Sequence, residues 1–132
     1  MTKKERLMDV LERMGYSPEI DEDGDIRLCY QIKTVYVMTG EEDEPYVCMM
    51  LPQFYEIKEN QETLVLAVCN KMSRELKLAT VFVDQTFKNV SATCEFFYVN
   101  DESLEQNFNH SLRMFGVVRT MFKDTLTEIS KY

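Results

Sequence analysis

A chain of 132 residues with 45% hydrophobic and 29% charged residues, four Gly and three Pro, has the make-up of one folded domain over residues 1–132; disorder, collagen-like repeats and low complexity are excluded. No apolar run approaches the roughly 18 residues of a membrane span, and Met1 to Arg6 leads into no signal-peptide core, so a cytoplasmic protein with no membrane partner is expected. The net charge of −8 divides as +1 over residues 1–18, −9 over 19–62 and 0 over 63–132, which lacks the basic stripe of a phosphate-backbone binder, and no nucleic-acid partner is expected.

Thr2 and Glu5 form a capping box, and Leu7, Val10, Leu11 and Met14 recur at helical spacing, which predicts a first helix ending at Gly15. Tyr16 to Ile20 reads as a short strand. Asp21-Glu22-Asp23-Gly24 is turn chemistry, and Ile26 to Gln31 and Thr34 to Met38 are the next two strands. Glu41 to Glu44 repel one another and precede Pro45, so they are expected in a solvated loop; Tyr46 to Leu51 resumes strand character, and Pro52 is expected to stop it. Asn60 is the expected N-cap of a second, mostly buried helix carrying Leu64, Val65, Val68, Cys69, Met72 and Leu76. Leu78 to Val83 and Val90 to Val99 form a second hairpin. From Asp101 or Ser103 a long helix carries Leu104, Phe108, Leu112, Phe115, Phe122, Leu126 and Ile129 at steps of three and four. The order α-β-β-β-β-α-β-β-α has no βαβ series, which predicts an α+β fold with an antiparallel sheet packed by helices.

Few residues suggest chemistry. Glu19-x-Asp21-x-Asp23-Gly24 copies the start of an EF-hand loop, but its twelfth position is Tyr30 and its flanks read as strands, so a hairpin turn is expected. His110 is the only histidine, and a surface or capping role is expected of it. Cys29, Cys48, Cys69 and Cys94 form no C-x-x-C pair and read as buried thiols. No phosphate-loop, dinucleotide, nucleophile-elbow or zincin motif occurs, so no enzyme activity, catalytic residue, metal or cofactor is expected. Two apolar features stand out as interaction candidates. Phe54 and Tyr55 follow Pro52, and Met114, Val118 and Met121 widen the apolar arc of the last helix beyond what one sheet would cover. Gly116 in mid-helix implies a close approach by the sheet or another subunit.

Gly15-Tyr16 after the first helix, the acidic hairpin Asp21 to Asp25, Leu-Pro-x-aromatic-aromatic-x-Ile at Leu51 to Ile57, the helix with Ala67 and Asn70, and Ala79 to Asp84 together resemble the bacterial YbjN family of candidate sensory transduction regulators. The resemblance implies a fold similar to type III secretion chaperones such as the Tir chaperones, no catalytic residues, and a module that binds a protein partner or a second copy of itself. The function expected is therefore a non-enzymatic interaction or adaptor module acting through an apolar helix face or a sheet edge. The alternative is a small-molecule sensor with a pocket lined by Met and aromatic side chains.

Overall fold

In a computed structural model describing residues 1–131, three helices cover one face of a six-stranded antiparallel sheet. The elements are α1 (Lys3–Arg13), β1 (Glu19–Ile20), β2 (Ile26–Tyr30), β3 (Lys33–Met38), β4 (Tyr46–Glu56), α2 (Glu62–Glu75), β5 (Ala79–Val83), β6 (Asn89–Phe97) and α3 (Asp101–Ile129), in the order expected. Across the sheet the strands run β1-β2-β3-β4-β6-β5, so α2 is the excursion that places β5 outside β6. The core lies between sheet and helices. Ile26, Leu28, Val35, Val37, Val47, Met49, Leu51, Val81, Ala92 and Cys94 alternate inward along the strands, against Leu7 and Leu11 of α1, Val65 and Met72 of α2, and Phe108, Phe115 and Phe122 of α3.

Local chemistry explains the ends of the elements. Thr2 and Glu5 form the expected capping box, and Asn100 with Ser103 forms another at the start of α3. In the first hairpin the Asp21 carboxylate accepts from the backbone N–H of Asp23 and Asp25, both at 2.9 Å, while Gly24 takes φ +84°, so this acidic cluster builds its own turn. In the second, Asp84 accepts from the Thr86 N–H and hydroxyl, and the ladder closes with Val83 opposite Val90.

Several expectations are corrected. Pro52 does not stop β4. The strand continues to Glu56, but between Leu51 and Tyr55 it advances four residues while β6 advances two, a bulge in which Gln53 takes φ +46° and its N–H turns to Ser91 Oγ at 2.9 Å. Asn60 is not the N-cap of α2; it sits at φ +67°, and Gln61 occupies the cap without a side-chain bond to the helix, its Oε1 accepting instead from Tyr55 and from the Lys58 N–H. That helix buries Val65, Val68, Cys69 and Met72 but leaves Leu66, Ala67 and Asn70 exposed, because it lies at the sheet margin over β5. The first strand is only Glu19–Ile20, and β6 ends at Phe97 rather than Val99.

The acid run 41–44 is more than a solvated loop. Lys3 is buried, its ammonium donates to the carbonyls of Thr39, Glu41 and Tyr46, and its backbone N–H donates to Glu42 at 2.9 Å. Burial holds the Lys3 ammonium below its ordinary value while Glu44, Glu42, Glu41 and Asp43 pull it back up. One carboxylate and three carbonyls thus fasten the first turn of α1 to the β3–β4 connection.

Candidate functional site

The face of the sheet turned away from the helices is uncovered among the described residues. Cross-strand register places Arg27, Tyr36, Met50, Thr93 and Thr80 in one row across it, Met38, Cys48 and Glu95 in the next, and Tyr46 beside Phe97 at the end. An antiparallel sheet with one solvated face ordinarily alternates apolar and polar residues. Here Tyr36, Met38, Tyr46, Cys48 and Met50 occupy outward positions, so β3 and β4 carry apolar residues on both sides, and Phe82 of β5 and Phe97 of β6 add to them. Tyr46 and Phe97 stack at 5.3 Å, with Phe97 65% exposed. Toward the bulge the face deepens into a groove of about 440 Å³ bordered by Met50, Pro52, Phe82 and Ser91.

Two carboxylates lie on this side: Asp84 borders the groove and is held by Thr86 and Gln53, and Glu95 stands among the aromatic and sulfur side chains. Glu95 is exposed and, among the described residues, has no ion-pair partner, whereas Arg27 at the margin is paired with Glu19 at 3.1 Å. Burial and then the Glu95 carboxylate push the Tyr46 phenol up to about 12, and the same causes push the Cys48 thiol to about 11. These groups stay neutral at physiological pH, so the Tyr46 and Cys48 side chains beside Glu95 are uncharged.

The outer edges of the sheet are short or occupied, although Leu28 to Tyr30 of β2 extend beyond the reach of β1. At the β5 edge, Ser73 Oγ accepts from the Val81 N–H at 2.9 Å and donates to the Val81 carbonyl at 3.1 Å, while the Ala79 N–H is taken by Lys77. The opposite edge is the two-residue β1. Short, occupied edges leave little backbone to template an added strand.

The interaction candidates read from the sequence separate into three groups. Val118 is 0% exposed and belongs to the core, so it is removed from the accessible surface; the arc of α3 is wide because α1, α2 and the sheet all pack on it. Met114 and Met121 are half-buried against the core, and Met114 borders a cleft with Lys77, Leu78, Asn107 and the exposed His110. Phe54 and Tyr55 both pack on Phe122, at ring distances of 5.6 and 4.8 Å. Adjacent residues of a regular strand point to opposite faces; the irregularity at Gln53 is what turns both rings to the helix side. Gly116 has the expected close neighbours, since a Cβ there would lie 3.1 Å from Gln31 Oε1 and 3.4 Å from the Tyr30 ring.

The thiols depart from the reading of four buried cysteines. Cys69 and Cys94 are buried, with burial pushing them up to about 11 and about 12, whereas Cys29 is exposed and Cys48 lies half-buried on the open face. Among the described residues no three His, Cys, Asp or Glu side chains are grouped to hold a metal ion, and no helix is long and apolar enough to cross a membrane. The open face is not legible in a single inward stripe per strand, which is all that strict alternation conveys. The available signal was the pair of unbroken runs, Val35 to Met38 and Tyr46 to Leu51, which are apolar at consecutive positions.

The fold is similar to that of YbjN from E. coli, a proposed transcription regulator, with a TM-score of 0.68 over 95% of this chain and 92% of that one at 10% identity. It is also similar to an uncharacterized protein from Methanothermobacter thermautotrophicus, with a TM-score of 0.58 over 94% of this chain and 99% of the other at 12% identity. No protein-family model matches the chain, and no curated protein matches it significantly. The YbjN-like α+β fold is thus established by shape along nearly the whole chain.

Proposed function

We propose that the chain is a non-enzymatic protein-interaction module whose contact surface is the open face of the sheet, and that its occupant is a partner segment combining apolar side chains with a Lys or Arg. The observation that carries this is the set of outward apolar residues on β3 and β4, with Phe97, around Glu95, which has no ion-pair partner among the described residues. A cation placed against a carboxylate amid apolar walls fixes the register of an extended segment, and the chain's net charge of −8 speeds its arrival. A second copy on the same face is disfavoured, because a twofold pairing through its centre would bring two Glu95 carboxylates together. The occupied β5 edge favours docking on the face over strand addition beside β5. The role proposed for the YbjN protein of E. coli, in transcription regulation, agrees with a regulatory adaptor.

The test is selection from a displayed peptide library with the purified chain. Enrichment of segments joining Lys or Arg to aromatic or aliphatic residues, abolished by Glu95→Lys and by Met50→Lys in variants that keep the parent melting temperature, is the expected result. Enrichment insensitive to both changes, or none at all, overturns the reading. So does a dimer in sedimentation that Phe97→Ser dissociates, since a second copy would then occupy the face.

A further inference from the structure

Where β4 bulges away from β3 a second groove opens on the helix side of the molecule. The two strands pair only from Tyr36 to Met38 with Cys48 to Met50; beyond that, β4 follows β6 and leaves Lys33 and Thr34 of β3 without a strand opposite. The gap is a groove of about 320 Å³, at the small end of ligand pockets. Pro52, Gln53 and Phe54 line it from β4, Lys33 and Thr34 from β3, and Arg119 from α3.

Its charge is opposite to that of the protein. Among the described residues no carboxylate lines the groove, and from Gln106 to Lys123 the chain carries Arg113, Arg119 and Lys123 and no acid, in a molecule of net charge −8. Among the described residues neither Lys33, Arg119 nor Lys123 takes part in an ion pair. Partial burial, then Arg119 and Lys123, hold the Lys33 ammonium below its ordinary value, so these cations repel one another with no carboxylate between them. The segments that bring residues to the groove are a tight hairpin turn, in which Gln31 and Ile32 before Lys33 take φ of +51° and +70°, and the β4 bulge, in which Gln53 takes +46°. Left-handed conformations of this kind cost free energy for residues other than Gly, most of all for β-branched Ile.

We propose that this groove binds a small organic anion, a phosphate or carboxylate head held by Lys33 and Arg119 with an apolar or aromatic body against Phe54 and Pro52. An anion relieves the mutual repulsion of the cations and gives Arg119 the planar, paired acceptor its guanidinium fits. This groove meets the open-face groove at Pro52 and Gln53, but its cations and Phe54 belong to it alone, so the proposal stands whether or not the open face binds protein.

Calorimetric titration with phenyl phosphate and, in a second arm, phenylacetate tests it. The expected result is saturable one-to-one binding of at least one probe, weakened about tenfold or more by Arg119→Gln and by Lys33→Gln. Arg113→Gln, on the same helix but outside the groove, leaves binding within about twofold of the parent, as does Glu95→Lys on the open face. Preference for phenyl phosphate identifies a phosphate ligand and preference for phenylacetate a carboxylate. Absence of saturable binding to either, or an equal loss in Arg113→Gln, overturns the proposal. Arg119 is exposed, so its variant is informative even should Lys33→Gln fold poorly.

Discussion

Met49 and Met50 are neighbours on one strand and live in different environments. Met49 is 0% exposed beneath the helices, opposite Val37 on β3 and Cys94 on β6; Met50 stands on the open face between Tyr36 and Thr93. The same side chain thus belongs to the folding core at one position and to a surface at the next. Hydrophobicity alone does not reveal what a residue is for, and in this sheet the two faces differ in cover as well as in composition. One face is closed by three helices; the other keeps its aromatic and sulfur side chains next to solvent.

The most direct way to break this contrast is through the core. Phe122 is fully buried and receives both Phe54 and Tyr55, so Phe122→Ala is expected to cost about 3–5 kcal/mol in denaturant titration, the range for a deleted core ring. A loss below about 1 kcal/mol would show that the bulge and α3 do not depend on that stack.

The methionine pair sharpens the contrast. Met49→Ala is expected to cost about 2–5 kcal/mol and Met50→Ala less than about 1.5 kcal/mol by the same measurement. Equal losses would mean that the outer face is covered in solution.

Lys3→Met tests the attachment of α1. Removing the ammonium leaves the carbonyls of Thr39, Glu41 and Tyr46 without their donor, with an expected loss of about 1–3 kcal/mol. Hydrogen exchange should rise first in α1 and the 39–46 connection. Exchange spread evenly over the fold would refute a local clasp.

Thiol chemistry separates the faces without mutation. At pH 8 Cys29 is expected to be alkylated first, since it is exposed, then Cys48, half-buried on the open face with its thiol pushed up to about 11, while Cys69 and Cys94, pushed up to about 11 and about 12 by burial in the core, react as the chain opens. Mass spectrometry of partly labelled protein reads the order directly.

The smallest effect is one of pH. Hydrogen bonds from the Thr2 backbone and side chain hold Glu5 below its ordinary 4.5. A carboxylate depressed in the folded state contributes stability that is present above that ordinary value and is lost as pH falls through the lower, folded one. Glu5→Gln should therefore flatten the acid limb of the stability profile slightly; an unchanged limb would remove the capping box as its source.

Much of the fold was legible in the residues because its signals are local. The Thr2–Glu5 cap, the Asp21–Gly24 turn and the long stripe of α3 each follow from a few adjacent side chains, and all three stand where expected. The candidate surfaces were less legible. Val118 read as surplus because its cover comes from elements distant in sequence, and Pro52 read as a stop because its effect on pairing depends on which neighbour a strand follows.

What the sequence by itself determined is the order of elements, their caps and turns, and the alternation that gives each strand an inner side, since all of these are set by torsional preference and by spacing along the chain. Which apolar side stays open, where β4 parts from β3, and which cations meet across Lys33 and Arg119 were decided by the tertiary structure alone. Those outcomes depend on contacts between segments far apart in the chain, where burial and charge act through space rather than along the backbone.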